Sequence, residues 1–144
     1  MKKWIFLLLL FPLTCVAQTY QYLGVEDGLS NRRVYCIQKD RTGYMWFLTH
    51  EGIDRYNGKD FKRYKLMDGD TEVNSLLNLN WLYIDRDGVL WEIGKKGKIF
   101  RYDEIHDRFE LVYKLPIENF RDLPAPVSFA WLDRNNHIWL CNEE

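Results

Sequence analysis

Three tryptophans, Trp46, Trp91 and Trp139, each follow an aspartate (Asp40, Asp85, Asp133) by six residues. Indole rings at a regular spacing can stack on sugar faces, or they can pack as core. At one position per repeated unit, packing between neighbouring units is the simpler expectation, with sugar contact the alternative. Trp81 and Trp131 precede their turns and read as core. Asp85-Arg86-Asp87-Gly88 opens like a calcium loop but lacks the later ligands, so it reads as a turn. Asp68-Gly69-Asp70-Thr71-Glu72 reads as a solvated acidic linker, with a cation site the alternative. His50, His106 and His137 show no metal-ligand spacing. No Ser-His-Asp order, nucleophile elbow, phosphate loop or catalytic carboxylate pair is present. No catalytic, cofactor-binding or metal-binding residue is therefore assigned, no cofactor is expected, and the ligand-binding residues are unknown at this level.

These residues sit in a phrase written three times: Asp40-Arg41-Thr42-Gly43-Tyr44-Met45-Trp46, Asp85-Arg86-Asp87-Gly88-Val89-Leu90-Trp91 and Asp133-Arg134-Asn135-Asn136-His137-Ile138-Trp139. The steps between the aspartates, 45 and 48 residues, are those of a β-propeller blade. In Asp-x-x-Gly the carboxylate can accept from the amide two residues on, and the glycine takes the positive φ that closes the turn. Asn136 replaces that glycine in the third unit, the next best residue for a left-handed position.

The strand pattern follows. Val34 to Lys39, Tyr44 to Thr49, Ile53 to Tyr56 and Phe61 to Lys65 form a first four-stranded unit, with Asn57-Gly58 as a hairpin signal. Leu79 to Ile84, Val89 to Gly94, Ile99 to Tyr102 and Phe109 to Lys114 form a second. Val127 to Leu132 and His137 to Cys141 begin a third. The fold class is all-β: an incomplete β-propeller of two four-stranded antiparallel blades plus the first half of a third. The divisions are a signal peptide over 1–17, a lead-in over 18–33 with Tyr20 to Leu23 as a candidate closing strand, blade 1 over 34–66, a linker over 67–78, blade 2 over 79–115, a linker over 116–126 and a partial blade 3 over 127–144.

Lys2, Lys3, the apolar run Trp4 to Leu13 and Cys15-Val16-Ala17 read as a secretory signal cleaved before Gln18. A lipoprotein cysteine at Cys15 and an uncleaved anchor are the alternatives. Removing 1–17 takes away two lysines, leaving 18 basic against 21 acidic residues, a net charge of −3. That balance argues against nucleic acid or an anionic membrane as partner. Cys36 and Cys141 fall in strands of different units and read as separate thiols, with a disulfide the alternative in an oxidising compartment.

The stretch Asp40 to Gly58, with its lead-in Glu26-Asp27-Gly28-Leu29-Ser30, resembles the two-component regulator propeller repeat, and the resemblance runs over Gln18 to Glu144. It implies the N-terminal periplasmic sensor region of a hybrid two-component system histidine kinase of the Bacteroidetes type. Such a region is exported, lies on the periplasmic side of the inner membrane and detects polysaccharide breakdown products. The implied partners are an oligosaccharide ligand and the remaining blades or other copies of the chain. The phosphoacceptor histidine and receiver aspartate of such systems would lie outside these residues, so no enzyme activity is expected of them.

In the first two units a glycine follows the tryptophan by six residues, which places the third at position 145. The chain is thus expected to be a truncated piece of a longer reading frame. Two and a half blades leave an apolar face at each end, so residues 18–144 alone are expected to aggregate or oligomerise. The competing functions are a secreted module that assembles a propeller from several copies and binds carbohydrate, and a propeller hydrolase or lyase, for which no catalytic pair is available.

Overall fold

Aromatic and β-branched residues alternate with polar ones between Asn/Asp/Gly turns, a pattern that fits short antiparallel strands. The computed structural model describes residues 20–73, 81–94, 96–115 and 127–142, and these residues are all-β apart from a 3-10 turn at Val25–Asp27. The signal expected over 1–17, Cys15 within it, the 116–126 linker and the last two residues lie outside the described residues.

Strands β1 (Val34–Lys39), β2 (Met45–Thr49), β3 (Gly52–Tyr56) and β4 (Phe61–Tyr64) form an antiparallel meander in sequence order. Strands β7 (Trp81–Ile84), β8 (Leu90–Ile93), β9 (Lys98–Asp103) and β10 (Arg108–Lys114) repeat it. Strands β11 (Val127–Leu132) and β12 (Ile138–Asn142) form one further antiparallel hairpin.

Two elements differ from the sequence reading. The stretch read as a polar linker contains β5 (Leu66–Asp68) and β6 (Thr71–Val73), a hairpin closed at Gly69 (φ 58°). β5 runs parallel to β10, with Phe109 opposite Leu66 and Glu110 opposite Met67, so the second sheet has six strands in the order β6-β5-β10-β9-β8-β7. Leu66 is buried there beside Phe109, and that burial recruits the segment. The hairpin also covers the backbone edge of β10 that would otherwise lie open. Acidic residues of the stretch serve ion pairs: Glu72 with Lys65 (2.6 Å) and Asp68 with Lys98 (3.9 Å).

The candidate closing strand Tyr20 to Leu23 is not a strand in the structure, because no described strand lies alongside it. Leu23 instead packs, with Leu29, against Phe47, Tyr56 and Phe61 on the outer face of the first meander. The lead-in is pinned there by the Ser30 amide donating to Asp54 (2.8 Å) and by a 2.8 Å bond between the Ser30 and Thr49 hydroxyls. Gly28, at φ 108°, lies so close to Phe61 that a Cβ would stand 3.4 Å from it. The leading face expected to be open is therefore partly covered.

The main core lies between the two meanders. Trp46, Leu48, Ile53 and Tyr64 of the first pack on Leu82, Leu90, Phe100 and Phe109 of the second, with Leu66. A smaller core joins the second meander to the hairpin: Ile93 and Ile99 meet Ala130, flanked by Trp81, Tyr83, Trp91, Ile138 and Leu140.

Candidate functional site

Each repeated aspartate does two jobs. In the first unit, Asp40 Oδ1 accepts from the amides of Thr42 (2.9 Å) and Tyr44 (3.0 Å), while Oδ2 accepts from Trp46 Nε1 (2.7 Å). In the second, Asp85 takes the amides of Asp87 and Val89 and the indole of Trp91 (2.9 Å). In the third, Asp133 takes the amides of Asn135 and His137 and the indole of Trp139 (3.0 Å). The positive φ follows as expected at Gly43 (96°), Gly88 (90°) and Asn136 (65°). Burial pushes the Asp40 carboxyl up, but the hydrogen bonds from Thr42 and Trp46 and from the Tyr44 and Thr42 amides outweigh it and hold it below the usual range. The Trp139 indole and the His137 amide do the same for Asp133.

The units also touch through equivalent atoms. Gln38, two residues before its repeat aspartate, donates from Nε2 to the carbonyl of Leu82, three before the next one (2.9 Å). Tyr83 Oη donates to the carbonyl of Ala130 at the same two repeat positions. On the trailing face, Cys36, Gln38 and Trp46 meet the second unit, and Trp81, Tyr83 and Trp91 meet the third. The same positions in the third unit, Phe129, Trp131 and Trp139, are 54%, 55% and 56% exposed. Trp46, by contrast, is 2% exposed, so the packing role holds for the first tryptophan and, in part, for Trp91. Trp131 and Trp139 depart from the core expectation because no described element covers that face.

Cavities open at both ends of this framework. At the end bearing the β1–β2 and β3–β4 turns, one of about 230 Å³ opens between the first two units. Asp40, Arg41, Trp46, Asp87, Tyr102 and Glu104 are among its lining residues. Arg41 crosses it to the carbonyls of Arg86 and Asp87.

A second cavity of about 230 Å³, lined by Lys62, Arg63, Tyr64, Lys65, Met67, Asp107 and Arg108, is basic, but each cation has its own carboxylate. Lys62 pairs with Asp107, Arg63 with Glu51, Lys65 with Glu72 and Arg108 with Glu110. Asp107, at φ 50°, is a hub here. It accepts from Tyr64 Oη (2.7 Å), Tyr102 Oη and Lys62 Nζ. Arg55 donates to Tyr102 Oη (3.1 Å), and its guanidinium lies 4.6 Å from the Tyr44 ring centre and 5.2 Å from that of Tyr64, within cation–π range. Burial pushes the Tyr64 hydroxyl up, and its bond to Asp107 pushes it further. Burial raises Asp107 as well, but its bonds to Lys62, Tyr102 and Tyr64 hold it far below the usual range.

The third cavity, about 570 Å³, opens at the opposite end and is lined by Asn31, Arg32, Arg33 and His50. Arg32 and Arg33 lead into β1, and His50 sits in the β2–β3 turn, where its amide donates to the Arg33 carbonyl (3.0 Å). Tyr35 Oη lies 2.8 Å from His50 Nδ1.

Asp103, His106 and Glu110 bring ligand atoms within 4.8 Å of one another, a grouping that sequence spacing did not suggest. His106 is already held by Asp103 (2.7 Å) and Glu110 by Arg108 (2.6 Å). Cys36 and Cys141 are not bonded to each other. Among the described residues no helix is long and apolar enough to cross a membrane.

Four-stranded antiparallel meanders that repeat their contacts from one unit to the next are propeller blades, so the chain is an all-β, incomplete β-propeller. Residues 28–51 match the family model described as Two component regulator propeller. No curated protein matches the chain. Among solved structures it is similar to the extracellular domain of BT3049 from B. thetaiotaomicron, described as a hybrid two component system, with 27% identity and a TM-score of 0.60. It covers 84% of this chain and 17% of that one. The extracellular domain of BT4673 from the same organism, described as a one component system, shares the fold at 21% identity and a TM-score of 0.58, over 80% of this chain and 16% of that one. The chain thus spans about a sixth of the length of these structures.

Proposed function

We propose that these residues are the N-terminal blades of an extracellular ligand-sensing propeller belonging to a two-component sensor. Their ligand is an oligosaccharide released from a larger polysaccharide. The signal over 1–17 exports them to the periplasmic side of the inner membrane. They supply binding surface and no signalling chemistry, which belongs to a histidine kinase elsewhere in such a system, and they are not themselves enzymatic.

The observation that carries this reading is the repeat-equivalent contact between units. The positions that join unit 1 to unit 2 and unit 2 to unit 3 stand exposed as Phe129, Trp131 and Trp139, a surface suited to a further blade of the same kind. The likeness to the BT3049 extracellular domain, which is much longer, supports the same reading. The test is calorimetry on the secreted protein with every residue its gene encodes, against oligosaccharides from digested polysaccharides. Saturable binding of an oligosaccharide, with its monosaccharide inert, is the expected result. No binding across neutral and acidic glycans would contradict it.

A further inference from the structure

We infer that the cleft formed by Arg32, Arg33 and His50 is a subsite for a negatively charged sugar, one bearing a carboxylate or a sulfate ester. The inference rests on the sensing reading above and narrows its ligand class.

Arg32 and Arg33 are adjacent and exposed, and neither has an ion-pair partner among the described residues. The cavity at Lys62, Arg63, Lys65 and Arg108 is different, because each of its cations is already matched by a carboxylate. The neighbouring carboxylate, Glu51, is engaged by Arg63 (3.5 Å) and by Asn31 Nδ2 (3.3 Å). Both arginines line the same open space, in a chain whose net charge is −1. A guanidinium without a carboxylate partner presents a planar fork that fits a carboxylate or sulfate in two bonds.

The surroundings suit a sugar more than a free ion. Tyr35, half-exposed, sits next to the cleft with its hydroxyl fixed on His50 Nδ1, which leaves the other ring nitrogen of His50 to a ligand hydroxyl. An aromatic ring beside a charged fork is what a uronic acid or sulfated residue needs for both its face and its acid group. The space, about 570 Å³, is shallow and open to solvent, which leaves room for a chain of linked sugars to pass. The backbone is fixed as well: the Arg33 amide donates to Asn31 Oδ1 (2.8 Å) and the Arg33 carbonyl accepts from His50.

The test is calorimetry on the full gene product with four probes: digalacturonate, galactose 6-sulfate, cellobiose and inorganic sulfate. Each is repeated with R32A/R33A, two exposed positions whose loss leaves the blades folded, and with the conservative R32K/R33K. The inference predicts that at least one anionic sugar binds. Its affinity falls tenfold or more in R32A/R33A, is partly kept in R32K/R33K, and weakens from 50 to 300 mM salt. Cellobiose binding with neither anionic sugar bound would overturn the anionic subsite and leave the sugar-sensing reading standing. Sulfate binding as tightly as the sugars would overturn the saccharide assignment. Anionic sugar binding unchanged in R32A/R33A would overturn the choice of residues, and no binding by any probe would overturn the inference outright.

Discussion

The Trp46 indole donates to Asp40 at 2.7 Å, on the oxygen that the turn amides leave open. One carboxylate thus fixes the turn and the ring that fills the space between two blades. Asp40→Ala removes the acceptor for both and is expected to cost about 2 kcal/mol, since each such bond contributes about 0.5–1.5 kcal/mol net. Asp40→Asn keeps an acceptor for the amides but turns an NH2 toward the indole, so it should destabilise as well. Urea midpoints of the two variants check this. Midpoints equal to the parent would mean that the clasp is ornamental.

Trp46 and Trp139 occupy the same repeat position, but their environments differ. Trp46 stacks against Tyr102 (5.0 Å), Tyr64 (5.1 Å) and Phe109 (5.9 Å), whereas Trp139 is 56% exposed. Trp46→Ala is expected to cost about 3–5 kcal/mol, the usual loss for a buried aromatic. Trp139→Ala should move the melting temperature far less, and equal losses would refute the packing assignment.

Phe129, Trp131 and Trp139 form an exposed aromatic face. Residues 18–144 produced alone should self-associate through it, and Phe129→Ser with Trp131→Ser should reduce the weight-average mass in sedimentation. A parent chain that sediments as a monomer at all concentrations, with a sharp melt, would contradict this.

Two aspartates give opposite pH signatures. Asp107 is depressed in the folded chain, so its contribution is present above the unfolded value of about 3.9. That contribution is lost as pH falls through the folded value. Asp107→Asn, which keeps the left-handed backbone accessible, should lower the melting temperature at pH 7 and differ less from the parent at pH 3. Asp54 is fully buried and raised, first by burial, against the bond from Ser30. Its charged form opposes folding, so Asp54→Asn should stabilise at pH 8, and the gain should vanish near pH 4. Calorimetric melts across pH separate the two signs.

Local features were legible in the sequence and long-range ones were not. Asp-x-x-Gly and the hairpins it closes are set within a few residues, so strands β1 to β4 and β7 to β12 could be read with small shifts at their ends. The indole bond to Asp40 was hidden because spacing shows recurrence and not which atoms meet. The β5–β6 hairpin was missed because Leu66 finds its partner, Phe109, more than forty residues away, and its polar tip reads as linker. Arg32 and Arg33 gave no signal for a related reason: an arginine's counterion is chosen by the fold. The structure gives Arg63 a carboxylate, Glu51, and among the described residues gives the adjacent pair none.

Whether these blades begin a longer sensing propeller is tested most directly by the gene sequence beyond the codon for Glu144. The expected result is an open frame, continuous or restored by a single frameshift, that places glycine at position 145 and then repeats Asp-x-x-Gly-x-x-Trp at steps of about 45 residues. A stop codon with no related frame behind it would contradict the claim and favour a short secreted module that completes its propeller with copies of itself.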